Sequence, residues 1–254
     1  MTHSTPWAGA FGDVGWKLPD ILTVDATARA ADHLESYMHH DEHKGPDYSG
    51  SFFHRLGGGG DSEETKNIIT ATDLVALTTL NINVDAQTSI GLLTDLQEWT
   101  REQIGEDIQG RDHTSYVLPQ HPDQLSGLLS QLPTSPGLED LSDGDMEEYA
   151  ECWDKLYEVV RRKGLGPTSV HKLFARKRPH LIPIYDSYIG SQLNTNSRSF
   201  FRNLHSVLHA ENGAFADHLR MIRGDVDVSL IRVFDIVVWR EEEEQKRKLA
   251  GRGD

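Results

Sequence analysis

The stretch "RRKGLGPTSVHKLFARKRPHLIPIYDSYI", residues 161–189 of a 254-residue chain, is the most informative part of the sequence. A basic helix end leads into the turn Gly164-Leu165-Gly166, and Pro167 opens a second helix. Glycine permits a tight turn, and proline is favoured in the first turn of a helix. A proline-marked turn then leads to Asp186. The stretch therefore predicts two helices joined by a hairpin and followed by an acidic residue.

Charge is distributed unevenly around this stretch. The whole chain has a net charge of -15, which argues against a nucleic-acid partner because phosphate binding depends on lysine and arginine. Residues 1–150, however, hold 7 basic and 26 acidic residues, whereas residues 151–254 hold 18 and 14. The segment from Lys155 to Arg202 contains ten basic and only two acidic residues, which gives a local charge of +8. This excess predicts a phosphate-contacting surface, with a solvated charged helix face as the alternative.

Apolar residues recur at helical spacing along most of the chain, and the strand signal is weak throughout. Residues 25–40 predict a helix with Asp25 as its N-cap, and Thr70 with Asp73 resembles a helix-opening capping box. Asp85 opens another helix. Further helices are expected over residues 125–132, 147–160, 197–210, 212–224 and 228–239, the last continuing into solvent. The predicted fold class is mainly α, with an acidic N-terminal helical part.

This pattern divides the chain into four parts. Residues 1–20 form an irregular arm, 21–145 an acidic helical region, 146–245 the hairpin-containing helical region, and 246–254 a charged tail. No apolar run is long enough to cross a bilayer, and the first residues lack a signal-peptide pattern. We therefore expect a cytoplasmic protein with no membrane partner.

Metal and cofactor motifs are weak. The single cysteine, Cys152, excludes an internal disulfide and a four-cysteine metal or iron–sulfur site. His39, His40 and His43 form a dense cluster, but the HExxH pattern of helical zinc sites is missing. We therefore expect no cofactor and no bound metal.

The central stretch resembles the helix-hairpin-helix/Gly-Pro-Asp (HhH-GPD) DNA glycosylases, in which a Leu-Pro-Gly-x-Gly hairpin precedes a Pro-Val-Asp pattern. Gly164-Leu165-Gly166 matches the hairpin glycines, and Pro183-Ile184-Tyr185-Asp186 matches the second pattern with one additional residue. The resemblance implies a helical bundle that binds DNA and removes a damaged or modified base. Thr168 stands where bifunctional members have a Schiff-base lysine, so the resemblance implies a hydrolase without lyase activity.

The resemblance and the charge pattern together give the candidate site residues. Asp186 would stabilise the positive charge that develops on the sugar, with a helix N-cap as its alternative role. Tyr185, Tyr188 and Trp153 are available to hold an extruded base, with plain packing as the alternative. The residues expected to bind DNA are Arg162, Lys163, Gly164, Gly166, Pro167, Thr168, Lys172, Arg176, Lys177 and Arg178.

Two further functions fit the sequence. A chain that kept the fold and lost the activity would be a catalytically inactive DNA-binding module, and the acidic N-terminal half could contact a protein partner. The whole chain is also similar to an uncharacterised bacterial family that shares "TATDLVALTTLNI", "LFARKRP", "IPIYDS" and "RVFDIVVW". That likeness implies no particular activity.

Overall fold

The computed structural model describes residues 4–93, 122–161 and 165–250, and this part of the chain is mainly helical, as expected. A short antiparallel ribbon pairs β1 (His40–Asp41) with β2 (Gly45–Pro46). None of the described helices combines the length and apolarity needed to cross a membrane. The α-helices are α1 (Ala8–Asp13), α2 (Thr27–Met38), α3 (Ala71–Thr78), α4 (Ala86–Leu93), α5 (Pro122–Leu129), α6 (Asp143–Val160), α7 (Pro167–Lys177), α8 (Ser187–Leu193), α9 (Phe200–Arg223) and α10 (Leu230–Ala250).

Local sequence signals set the start of several helices. The capping box of α3 is confirmed: the Thr70 hydroxyl accepts from the Asp73 N–H, and the Asp73 carboxylate accepts from the Thr70 N–H. Pro167 occupies the first turn of α7, directly after Gly166 as the N-cap residue. These signals are readable from sequence because they depend on neighbours within one turn.

Two expectations near the N-terminus are corrected. Residues 1–20 do not form an irregular arm throughout, because Ala8–Asp13 is helical and the rings of Trp7 and Phe11 pack against Phe215 of α9. Asp25 is not the N-cap of α2, since it lies in a 3-10 turn and the α-helix begins only at Thr27. The Trp7 and Phe11 spacing of four residues is helical, but the surrounding glycines hide it.

One hydrophobic core joins the acidic N-terminal region to the hairpin-containing region. Leu34 of α2, Trp153 of α6 and Phe234 of α10 all belong to it. Helices α2, α9 and α10 pack against one another at its centre. Around the break in α9, residues 211–213 have positive φ, which separates the two helical segments expected there.

The end of α10 leaves this core and enters solvent. Three glutamate-to-cation pairs at i,i+4 spacing form there, with N···O distances of 2.6–2.8 Å. Such pairs near the surface each contribute little to stability, but together they stabilise the part of the helix that extends beyond the core. The pairs are Glu242 with Lys246, Glu243 with Arg247, and Glu244 with Lys248.

Candidate functional site

The basic triplet Arg176, Lys177 and Arg178 at the end of α7 is enclosed. Arg176 and Lys177 are 0% exposed and Arg178 is 1% exposed. Arg176 and Lys177 each form an ion pair with Asp73 at 2.8 Å. Arg176 also donates to the Phe53 carbonyl. Burial lowers the pKa of Lys177, although its hydrogen bond to Asp73 opposes that shift.

Arg178 binds main-chain oxygens of the N-terminal half. Its guanidinium donates to the carbonyls of Lys66 and Leu132 at 2.6 Å and also to that of Leu129. Burial lowers the pKa of Arg178 to about 10, so it remains charged at neutral pH. The basic triplet therefore does not form the exposed DNA-binding surface that the charge count predicts, because its charges hold internal segments together.

The hairpin ahead of α7 is only partly within the described residues. Arg162, Lys163 and Gly164 lie outside them, whereas Gly166 is exposed and Pro167 and Thr168 are half-buried at the start of the helix. Gly166 has an ordinary φ of -70°, and a Cβ built there would meet no atom of the described residues within 4 Å. Nothing in the described part of the fold excludes a side chain at this position.

Asp186 and Lys172 meet in a pocket with a volume of about 120 Å³. Its walls come from α2, α7, α8 and α10, together with the turns that follow β2 and α3. The charged lining residues are Lys172, Asp186, Arg232 and Asp235. The aromatic lining residues are Tyr37, Tyr48 and Trp239.

Asp186 caps α8 and also reaches the pocket. Its Oδ1 accepts from the backbone N–H groups of Tyr188 at 3.0 Å and Ile189 at 3.1 Å, which confirms the helix-capping alternative. Its Oδ2 lies 3.5 Å from the Nζ of Lys172. The side chains of Asp186 and Lys172 are only 14% and 10% exposed. The capping bonds therefore fix a carboxylate whose other oxygen faces the pocket.

Lys172 lies inside the protein, which corrects the expectation that it contacts a DNA phosphate. Its ammonium group donates to the Leu80 carbonyl at 3.3 Å and pairs with Asp186. Burial lowers the pKa of Lys172, while the charge of Asp186 opposes the shift. Because Lys172 stands one helical turn after Thr168, the same face of α7 runs from the exposed hairpin into the pocket.

Arg232 and Asp235 form a second charged pair in the pocket. The guanidinium of Arg232 binds the Asp235 carboxylate and donates to the Tyr37 hydroxyl at 2.9 Å. Burial raises the pKa of Asp235 to about 7 against the attraction of Arg232. Among the described residues, Oδ1 of Asp235 has no hydrogen-bond partner. A buried carboxyl group with one free oxygen is suited to exchange a proton or a hydrogen bond with a ligand.

The aromatic wall is held by close packing. The rings of Tyr37 and Tyr48 stack with centroids 5.2 Å apart, and Trp239 meets both edge-on at 5.9 Å. A Cβ on Gly50 would lie 2.0 Å from the Tyr37 hydroxyl oxygen, so only glycine allows this approach. Sequence reasoning missed these three rings because their positions are also those of ordinary core residues.

The three aromatic residues proposed from the sequence as base-pocket residues do not line this pocket. Tyr185 and Trp153 both pack against the ring of His171, at 5.5 and 4.9 Å. The Tyr188 ring lies under the Lys246 ammonium group at 4.0 Å. Tyr185 and Trp153 therefore have the plain packing role that was the alternative.

Comparison with known proteins gives a family and no activity. The model of a family of unknown function (DUF6308) matches residues 30–112 and 107–242. No curated protein and no solved structure matches the chain. The matched residues include both the pocket and the basic triplet. The chain therefore belongs to the family of unknown function DUF6308.

Proposed function

We propose that the chain is a DNA glycosylase-like hydrolase of the helix-hairpin-helix type, which cleaves the N-glycosidic bond of a damaged or modified base. The observation that carries this proposal is the enclosed carboxylate of Asp186, which faces Lys172 inside a pocket whose lining includes three aromatic side chains. The proposal joins that geometry to the sequence resemblance of the hairpin segment.

The chemistry requires a fixed carboxylate. Cleavage of an N-glycosidic bond develops positive charge on the sugar, and a carboxylate in an enclosed site stabilises that charge more strongly than one in water. Two backbone N–H groups hold Oδ1 of Asp186, so Oδ2 keeps one orientation without reorganisation during the reaction. The same oxygen can accept a proton from the attacking water.

The lining of the pocket suits a planar polar ring. An extruded base requires flat apolar faces together with polar groups at its edge. Tyr48 and Trp239 supply aromatic faces, and the free Oδ1 of Asp235 supplies an edge contact. Burial raises the pKa of Asp235 to about 7, so near neutral pH this group is able to donate as well as accept.

The test of this proposal compares wild-type protein with Asp186→Asn on duplexes that carry different damaged or modified bases. Asparagine is a good N-cap residue, so the variant keeps the cap of α8 while losing the negative charge. We expect abasic-site formation to fall by at least about 100-fold, the usual contribution of a positioned acid–base group. Asp217→Asn is the matched control, because Asp217 also forms an ion pair, with Arg220, but is exposed on α9.

Two outcomes contradict the proposal in different ways. Equal activity of wild type and Asp186→Asn would remove Asp186 from the reaction. A wild-type protein that binds duplexes but forms no abasic site on any of them would favour the inactive DNA-binding module instead.

Gly166→Ala isolates the DNA contact from the chemistry. Because a Cβ at Gly166 meets no atom of the described residues, we expect the free energy of unfolding to fall by only about 1 kcal/mol, the cost of alanine as a poorer N-cap. The added methyl group would obstruct a phosphate approaching the free N–H groups at the start of α7. Loss of one such hydrogen bond, about 1 kcal/mol, should weaken duplex binding about fivefold in fluorescence anisotropy at low salt.

The control for this experiment is Gly12→Ala, whose added methyl group likewise meets no described atom within 4 Å but lies in α1, far along the chain from the hairpin. It should leave duplex binding unchanged. An unchanged affinity in Gly166→Ala would exclude a close backbone contact at the hairpin.

A further inference from the structure

A second polar cluster lies where α2 packs along α10. His33 projects from α2, and Glu241 and Glu244 project from one face of α10 because they are three residues apart. The His33 side chain is only 7% exposed, and Glu241 is also largely buried. No sequence motif marks this cluster, since His33 lies more than two hundred residues before the two glutamates.

The three side chains converge on a small volume. Nε2 of His33 lies 3.0 Å from Oε2 of Glu241 and 3.5 Å from Oε2 of Glu244. One ligand atom from each residue lies within 4.8 Å of the others. A tetrahedral ion with bonds of about 2.1 Å keeps its ligand atoms about 3.4 Å apart. The two distances from the imidazole nitrogen to the carboxylate oxygens, 3.0 and 3.5 Å, lie on either side of that spacing.

The second oxygen of each carboxylate is held by an outer partner. Gln245 donates to Oε1 of Glu241 at 2.9 Å, and Lys248 binds Oε1 of Glu244 at 2.7 Å. Hydrogen bonds of this kind orient the ligands of metal sites from outside. The outer partners leave the Oε2 atoms facing the same imidazole nitrogen.

The electrostatics of the cluster favour a cation at its centre. Two carboxylates that approach one imidazole nitrogen repel each other unless positive charge lies between them. Arg29 reaches Oε2 of Glu241 at 3.4 Å, but its side chain is half exposed, so the contact is weak and replaceable.

We propose that His33, Glu241 and Glu244 bind a divalent transition-metal ion, with Zn²⁺ as the best match to one imidazole and two carboxylates. The imidazole ligand favours zinc over magnesium or calcium, which prefer all-oxygen sites. Three protein ligands leave one position for water. His33 lies one turn before Tyr37 on α2, and Glu241 lies two residues after Trp239 on α10. The ion therefore connects two helices that line the pocket. This site does not depend on the proposed glycosylase activity.

The experiment titrates chelator-treated full-length protein with Zn²⁺ alone, followed by calorimetry and by competition with a coloured chelator. We expect one strong site per chain and a higher unfolding temperature with the ion bound. Changes to the outer partners of metal ligands already cost about 10- to 100-fold in affinity, so Glu241→Gln and Glu244→Gln should each lose at least about 100-fold. Circular dichroism of the metal-free variants checks that they remain folded.

Two matched variants make this result specific. Glu243→Gln changes one of the two residues between the ligands, and Glu243 pairs with Arg240 and Arg247 outside the cluster. His39→Asn removes an exposed histidine from the other histidine-rich segment. Both should keep wild-type affinity. The proposal is overturned if wild type does not bind Zn²⁺ at millimolar concentration, or if Glu241→Gln and Glu244→Gln bind it as tightly as wild type.

Discussion

Asp73→Asn is expected to lower the free energy of unfolding by about 3–5 kcal/mol. The Asp73 side chain is 1% exposed, and its carboxylate is the shared counter-ion of Arg176 and Lys177 at 2.8 Å. Asparagine keeps the shape of the side chain but removes its charge. Two enclosed cations would then lack a counter-ion, which costs far more than the loss of one hydrogen bond.

Urea unfolding measures this loss, with Glu63→Gln as the matched control. Glu63 forms an ion pair with Lys66 at 2.7 Å, but its side chain is 86% exposed, so we expect a change below about 0.5 kcal/mol. Adding Lys177→Met to Asp73→Asn should recover part of the loss, because it removes one of the orphaned charges. A loss below about 1 kcal/mol in Asp73→Asn would show that solvent reaches the basic triplet.

The basic triplet also shows where sequence reasoning about the site failed. A count of lysine and arginine registers residue type but not the direction of each side chain. Arg176 and Lys177 are consecutive helical residues and point about 100° apart, while Arg178 stands at the C-cap of α7 with a non-helical backbone, so the three could not all face one DNA surface. Asp73, the internal partner of Arg176 and Lys177, is about one hundred residues earlier in the chain. No local pattern links the two positions.

Features that depend on near neighbours were predictable. The capping box at Thr70, the proline at the start of α7 and the ion pairs at the end of α10 all lie within one or two helical turns. Asp186 is also recognisable from the sequence as a candidate site residue, because the turn that places it belongs to the same segment as the hairpin. Its capping role was identified with it, since an N-cap bonds only to the next three residues.

The surroundings of Asp186 were not predictable. Tyr37 comes from α2, and Arg232 and Trp239 come from α10. Their sequence spacing is that of residues on the buried face of a helix, which is equally the spacing of plain core residues. Only the packing of α2 against α10 brings them to the pocket. The same packing brings His33 to Glu241, which is why neither site has a sequence motif.

Acidification from about pH 6.5 to pH 4 is expected to remove about 3 kcal/mol of stability through His171 alone. Its ring is fully buried among aromatic side chains that include Trp153 and Tyr185, and burial lowers its pKa to about 4. As pH falls below the unfolded value of about 6.5, the unfolded chain binds a proton that the folded chain excludes. The stabilisation is thus complete above that pH and is lost down to about pH 4. The gap of about 2.5 pKa units, at 1.36 kcal/mol each, gives the expected loss.

His171→Phe separates this effect from every other titration, because only the difference between variant and wild type is interpreted. Urea unfolding at several values between pH 7 and pH 4 should give a curve that falls about 3 kcal/mol less in the variant. His218, whose pKa burial also lowers to about 4, is present in both proteins, so its contribution cancels.

Phe174→Leu is the control, since this buried neighbour on α7 does not titrate and should lower stability equally at every pH. Parallel curves for wild type and His171→Phe would mean that His171 takes up its proton equally in the folded and unfolded chain. For the folded chain to take up that proton, water would have to reach the His171 ring. The packing of Trp153 of α6 against this ring of α7 opposes that access.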